Sequence, residues 1–158
     1  MNAKIEHLFS AEELSPELID ILTSIDLLYF PTPWKVESWR ELFQNNSRLL
    51  TLMRISGNVV GFALFDFSYA DSFAHLLKII IIPEFRKCGR GEVLLKSSLR
   101  VLLTDKKVSN YFLEVDVANH AAVGLYQRLG FQIIHTKKDF YGASKDAYIM
   151  TADLSYTI

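Results

Sequence analysis

The sequence predicts an α/β chain of the α+β kind: a mixed, mostly antiparallel central sheet with helices on both faces and one parallel strand pair. Three observations predict it. Short apolar blocks at 48–55, 59–67 and 73–82 are joined by brief turn signals, as antiparallel neighbours are. A helix-length stretch then separates the 73–82 block from the next, at 111–117, and a crossover of that length lets two strands pair in parallel. The order along the chain is β-α-α-β-β-β-α-β-α-β-β, with no repeat, low-complexity tract or linker. One domain is therefore expected over 1–158.

Residues 4–9 read as the first strand. Ser10 or Ser15 caps a helix whose first turn takes Pro16, and Leu18, Ile19, Leu22 and Ile25 recur at helical spacing. Pro31 and Pro33 break that helix within the 29–34 segment, Tyr-Phe-Pro-Thr-Pro-Trp. A second helix is expected over 35–45, with Trp39, Leu42 and Phe43 on its apolar side. Ser56-Gly57-Asn58 marks a hairpin turn, and Asp71-Ser72 the turn before the 73–82 strand. Pro83 cannot donate to a ladder, so that strand stops there. Leu95, Leu99 and Leu102 mark a helix to about residue 105, where Lys106 and Lys107 suit its C-terminus. After the 111–117 strand, Asn119 caps a helix with Ala122, Leu125 and Leu129 as its buried stripe. Gly130 ends that helix in the left-handed conformation. Two final strands are read at 131–136 and 146–154, with a loop over 139–145.

Composition excludes several classes. Half of the residues are apolar, so the chain is not a disordered one. A net charge of −1 gives no global field toward nucleic acid or an anionic membrane. The lone cysteine, Cys88, excludes an intramolecular disulfide framework and fits a reducing, cytoplasmic setting. The N-terminus lacks a signal peptide's apolar core, and no apolar run approaches the roughly 20 residues of a membrane span. His7, His75, His120 and His135 show no metal-ligand spacing. No metal is expected, and each histidine is read as a surface or strand-edge residue.

The stretch 79–91, Ile-Ile-Ile-Ile-Pro-Glu-Phe-Arg-Lys-Cys-Gly-Arg-Gly, carries the first chemical signal. A buried strand runs into a basic glycine loop, in which Arg86, Lys87 and Arg90 surround Gly89 and Gly91, and a helix follows. Bare backbone N–H groups at a helix N-terminus, with roughly half a positive charge, suit a phosphate-bearing ligand. The competing reading is a plain corner with solvated charges. The third glycine of the dinucleotide-binding fingerprint and the Gly-Lys-Ser/Thr of a Walker loop are both missing. The spacing Arg-x-x-Gly-x-Gly over 86–91 resembles the pyrophosphate signature of the GNAT acetyltransferase superfamily, whose members bind acetyl-CoA.

A second stretch, Leu-Glu-Val-Asp-Val-Ala-Asn-His-Ala-Ala-Val-Gly-Leu-Tyr-Gln-Arg-Leu-Gly-Phe over 113–131, is more specific. It resembles the signature of the RimI branch of GNATs, the ribosomal-protein N-terminal alanine acetyltransferases. Pro33-Trp34, Phe140-Tyr141 and the 145–150 segment, Lys-Asp-Ala-Tyr-Ile-Met, extend the resemblance to about 30–154, and the order of elements resembles the GNAT fold. The resemblance implies Glu114 as general base for the acceptor amine and Tyr126 as general acid for the departing thiolate. It implies a cofactor-binding set of backbone at Ile79, Ile80 and Ile81, the loop residues Arg86, Lys87, Cys88, Gly89, Arg90, Gly91 and Glu92, then Asn119 and Tyr126. Trp34, Asp116 and Tyr141 are expected at the acceptor. Three departures stand out: Asp116 where the branch has Arg, Lys78 where it has Asn, and the polar Arg90 and Glu92.

Strand parity supports part of this independently. In Tyr-Phe-Leu-Glu-Val-Asp-Val, Glu114 and Asp116 share a face with Phe112, opposite Tyr111, Leu113 and Val115. Cys88 is rejected as an acyl carrier because it sits in the phosphate loop. Phe30, Trp34 and Trp39 are core residues by default, although the 29–34 loop could also wall an acceptor cleft. Three functions remain open: acetylation of a protein N-terminus, including that of a ribosomal protein; acetylation of a small amine; and non-catalytic sensing of acetyl-CoA.

Overall fold

Among residues 2–44 and 47–155, which the computed structural model describes, seven strands and four α-helices form in the predicted order. They are β1 (Ala3–Leu8), α1 (Pro16–Tyr29), α2 (Val36–Arg40), β2 (Arg48–Ile55), β3 (Asn58–Ser68), β4 (Phe73–Ile81), α3 (Arg90–Lys106), β5 (Asn110–Asp116), α4 (His120–Arg128), β6 (Gln132–Lys137) and β7 (Ala147–Asp153). The strands make one mixed sheet in the order β1-β2-β3-β4-β5-β7-β6. It is mostly antiparallel, and β4 and β5, the strands flanking α3, are the parallel pair. The expected fold class is therefore the one found.

Both flagged serines are used. The Ser15 hydroxyl accepts from Leu18 N–H at 3.1 Å with Pro16 in the first turn of α1. Ser10 precedes a single 3-10 turn, where the Glu13 carboxylate accepts its N–H at 3.1 Å. Helix α2 is shorter than expected and stops at Arg40; the expected end, Asn45, lies outside the described residues. Beyond Arg40 the bonds tighten to three-residue steps, Leu42 to Trp39 and Gln44 to Glu41. That tightening brings Trp39, Leu42 and Phe43 all into the core. Ser56 and Gly57 both take positive φ, the two-residue turn that matches strand twist, and β2 and β3 meet there. Helix α4 departs from expectation too: Ala122, Leu125 and Leu129 are only half covered, and Tyr126, packed 5.9 Å from Phe131, is its buried residue.

Contacts gather the chain into two units, Met1–Leu64 with Lys78–Leu94 and Phe65–Leu77 with Leu95–Ile158. In the first, Trp39 is fully buried and meets Phe62 edge to face at 5.5 Å. Gly61 admits the end of β4 there: a Cβ on it would lie 2.5 Å from Ile81 Cδ1 and 2.6 Å from the Ile80 carbonyl. In the second unit, β5 pairs antiparallel with β7 over its whole length, from Asn110 opposite Asp153 to Asp116 opposite Ala147. Strand β5 alternates as parity requires, with Tyr111, Leu113 and Val115 buried and Phe112, Glu114 and Asp116 half exposed.

Candidate active site

The glycine loop lies in the first unit. Lys87 and Gly89 both adopt φ of +69°, so the chain turns twice through the left-handed region. Alternating left-handed residues turn successive N–H groups to one side, which makes an anion-binding concavity. A Cβ on Gly89 would meet nothing within 4 Å, so the space beside it is open for a ligand rather than filled by protein. The first helical bond of α3 is Val93 N–H to the Gly89 carbonyl, which leaves the N–H groups of Arg90 and Gly91 ahead of the ladder. The arginines brace the loop: Arg86 Nε donates to the Ile81 carbonyl at 2.7 Å, and Arg90 to the Phe85 carbonyl at 2.9 Å. The polar set thus fits a pyrophosphate through backbone N–H groups and loop charge. Cys88 and Lys87 are exposed, and Glu92 sits half-buried in the first turn of α3. Ile79, Ile80 and Ile81 end β4, and the latter two are buried.

Trp34 belongs to a second cluster in the same unit. Asp26, fully buried on α1, accepts from Trp34 N–H at 2.8 Å, Trp39 Nε1 at 3.0 Å and Lys78 Nζ at 2.6 Å. The Lys78 ammonium also lies 4.4 Å from the Phe30 ring centroid and 5.2 Å from that of Trp34. The departure at Lys78 is therefore one half of a buried ion pair, whose other half ties down the 29–34 loop.

The second unit holds the acid–base candidates. Glu114 Oε2 is 2.6 Å from His75 Nε2. Asp116 shares its face, and its Oδ1 accepts from Ala118 N–H at 2.9 Å, building the turn into α4. The Asn119 side chain caps α4 by accepting from Ala122 N–H at 3.2 Å. Tyr141 stands in the β6–β7 connection. The residue is 42% exposed, and its phenol is pushed up to about 12 by partial burial first and then by the negative charges of Glu114 and Asp116. Tyr126 is 5% exposed, and burial, with a smaller contribution from Tyr141, drives its phenol well above the ordinary tyrosine value. Its hydroxyl makes no hydrogen bond to a described residue, yet the oxygen is not sealed from the surface. Tyr111, also buried, is different: its hydroxyl bonds the carbonyls of Val108 at 2.6 Å and Leu99 at 3.1 Å. Tyr126 is thus a buried phenol kept protonated and left with an open oxygen.

Within this unit Tyr141 thus lies in electrostatic reach of Glu114 and Asp116 on one side and of Tyr126 on the other. Sequence reasoning missed His75, read as a surface or strand-edge residue, and it missed Asp26 and Gly61. His75 carried one usable signal, because it shares the half-exposed face of β4 with Phe73. Among the described residues, no three His, Cys, Asp or Glu side chains gather as a metal site requires, and no helix is long and apolar enough to cross a membrane.

The profile of the acetyltransferase (GNAT) family matches residues 19–131. An N-alpha-acetyltransferase of Sulfurisphaera tokodaii is 25% identical over 86% of this chain and 87% of its own. A Bacillus subtilis protein named for alanine N-acetylation of ribosomal protein bS18 is 32% identical over 85% of this chain and 88% of its own. The crystal structure of the ribosomal-protein-S18-alanine N-acetyltransferase of Escherichia coli superposes with a TM-score of 0.83, at 23% identity, covering 99% of this chain and 97% of that one. That last likeness is one of fold, and it agrees with the sheet order above. The chain belongs to the acetyltransferase (GNAT) family.

Proposed function

We propose that this acetyltransferase moves the acetyl group of acetyl-CoA directly to the α-amine of a protein N-terminus, working as one domain in a reducing, cytoplasmic setting. Acetyl-CoA is the acetyl donor. The 86–92 loop, with Gly89 and Gly91 admitting the phosphates, holds its pyrophosphate, while Asn119 and the backbone at Ile79, Ile80 and Ile81 hold the pantetheine arm. Trp34, Asp116 and Tyr141 face the acceptor. Relatives named for Nα-acetylation support this acceptor, and the one named for bS18 makes a ribosomal protein a natural one.

The chemistry has two proton problems. The incoming ammonium must lose a proton before its nitrogen has a lone pair, and Glu114 takes it. An α-amine ionises near pH 8, about two units below a lysine, so a carboxylate base suffices for it more readily than for a side-chain amine. The amine then attacks the thioester carbonyl, the C–N bond forms, the attacking nitrogen gives up its second proton to solvent, and the C–S bond breaks. The departing thiolate takes the hydroxyl proton of Tyr126, which solvent restores. The observation that carries this reading is Tyr126: burial keeps it protonated, and its hydroxyl bonds nothing else among the described residues. A structural tyrosine would be tied as Tyr111 is.

The test is release of free thiol from acetyl-CoA by the purified protein, against peptides with free N-termini and a panel of polyamines, amino acids and aminoglycosides. Turnover with peptides is expected. Turnover with small amines alone would move the acceptor to that class, and no turnover with any amine, despite acetyl-CoA binding, would mark a sensor.

A further inference from the structure

His75 and Glu114 lie 39 residues apart in sequence, and the fold joins them at 2.6 Å, the length of a charge-assisted bond. Their geometry is specified from the backbone outward. The parallel ladder between β4 and β5 runs from Phe73 opposite Asn110 to His75 opposite Phe112. Alternation buries Ala74 and Leu76 and puts Phe73 and His75 on the half-exposed face. Across the ladder, Phe112 shares that kind of face with Glu114, two residues further on. The His75 ring stacks on Phe112 with centroids 3.9 Å apart and planes 16° apart, and Phe112 stacks in turn on Phe73 at 4.6 Å and 19°. Ring stacking fixes the imidazole plane, and the ladder fixes the ring's place along the strand. One nitrogen, Nε2, is thereby held against one carboxylate oxygen, Oε2.

A glutamate on a half-exposed strand face has free torsions, and without a partner its carboxylate would sample many orientations. A base must present one oxygen to the ammonium within hydrogen-bond reach. We infer that His75 is the positioning residue for this base: its Nε2–H holds Glu114 Oε2, which leaves Oε1 directed to the acceptor nitrogen. The inference rests on the reading of Glu114 as the base. Proton balance is simple. The first ammonium proton passes to Oε1, giving a neutral acid, the second leaves the nitrogen for solvent after attack, and the Nε2 proton stays on the imidazole throughout. The oxygen that His75 holds still accepts its bond after the transfer, and Oε1 gives its proton to solvent before the next turnover.

The experiment is a double-mutant cycle read by steady-state kinetics, with acetyl-CoA and a peptide bearing a free N-terminal alanine. His75→Leu keeps the apolar contact with Phe112 and removes the donor, and kcat is expected to fall about tenfold or more while KM for acetyl-CoA stays within about twofold. His75→Gln, whose amide N–H reaches the same place, is expected to recover most of that loss. In a Glu114→Gln background, His75→Leu is expected to cost less than about twofold more, because there is no longer a base to position. Should His75→Leu fail to fold, His75→Met carries the same cycle, and the thermal midpoint of each variant reports folding. Equal fold losses from His75→Leu in both backgrounds, or no loss in either, would overturn the positioning role. A Glu114→Gln enzyme with wild-type turnover would instead overturn the assignment of the base itself, a distinct result. A second readout needs no turnover: the imidazole 15N shifts of His75 should change on Glu114→Gln, and unchanged shifts would contradict the bond.

Discussion

Tyr111 and Tyr126 are both buried phenols, and what their hydroxyls touch separates structure from chemistry. Tyr111→Phe removes an oxygen bonded to two backbone carbonyls, and it is expected to lower stability by about 1 kcal/mol with acetyl transfer retained. Tyr126→Phe removes an oxygen bonded to no described residue. Stability should hold while kcat drops about 10²-fold, with acetyl-CoA affinity within a few-fold. Calorimetric binding beside kinetics checks this, and equal losses of stability in both variants would contradict it. Both Tyr126 and Tyr141 titrate higher folded than unfolded. The folded state therefore keeps protons that the unfolded chain has lost, and stability falls as pH rises from about 10, the unfolded value, toward and beyond about 12 for Tyr141. Below that window these two tyrosines contribute no pH dependence. Alkaline unfolding of wild type against Tyr141→Phe measures it, and a variant with an equally steep decline would refute it. The Lys78–Asp26 pair gives a third test. Lys78→Met strands a buried carboxylate and should cost about 3 kcal/mol or more in urea unfolding, and adding Asp26→Asn should restore part of it. An unchanged midpoint for Lys78→Met would contradict the pair's role. None of these pairings could be read from the sequence. Asp26 occupies a position on the α1 stripe where an apolar residue is expected, and its partner is 52 residues away.

At the scale of elements, what was legible is what local pattern determines. The β5 parity, the Ser56-Gly57 turn, the Asn119 cap and the left-handed Gly130 all follow from residues in the immediate chain. The early end of α2 was not legible, because burial of Trp39, Leu42 and Phe43 together, not helix propensity, tightens the chain there. Gly61 was invisible for a similar reason: nothing local demands it, and only the neighbouring backbone of Ile80 and Ile81 does. The glycine loop is the element whose claim is most exposed to test. Gly89→Val should weaken acetyl-CoA binding at least tenfold, or about 1.4 kcal/mol, because its side chain enters the open space beside a left-handed residue. Gly57→Val imposes similar backbone strain at a turn remote from the loop in sequence, with φ of +83°, and serves as the control. Calorimetry showing equal affinity for the two folded variants would remove the loop from acetyl-CoA binding.

For the whole molecule, the order of elements and the family were legible, because a strand–loop–helix phosphate motif and the 113–131 stretch each occupy one continuous segment. The acceptor was not, because the groups expected to face it, Trp34, Asp116 and Tyr141, come from three separate segments whose roles depend on contacts formed only on folding. Asp116 illustrates the point: its face was predicted from parity, but its bond to Ala118 gives it a structural task that no spacing announced. The central claim is acetyl transfer to an α-amine, and tandem mass spectrometry tests it most directly. A peptide carrying both a free N-terminal alanine and an internal lysine is incubated with acetyl-CoA and the wild-type protein, in parallel with Glu114→Gln and Tyr126→Phe. The account predicts one acetyl group, on the N-terminal nitrogen, formed by wild type and strongly reduced in both variants. Acetyl on the lysine alone, or equal N-terminal acetylation by all three proteins, would contradict it.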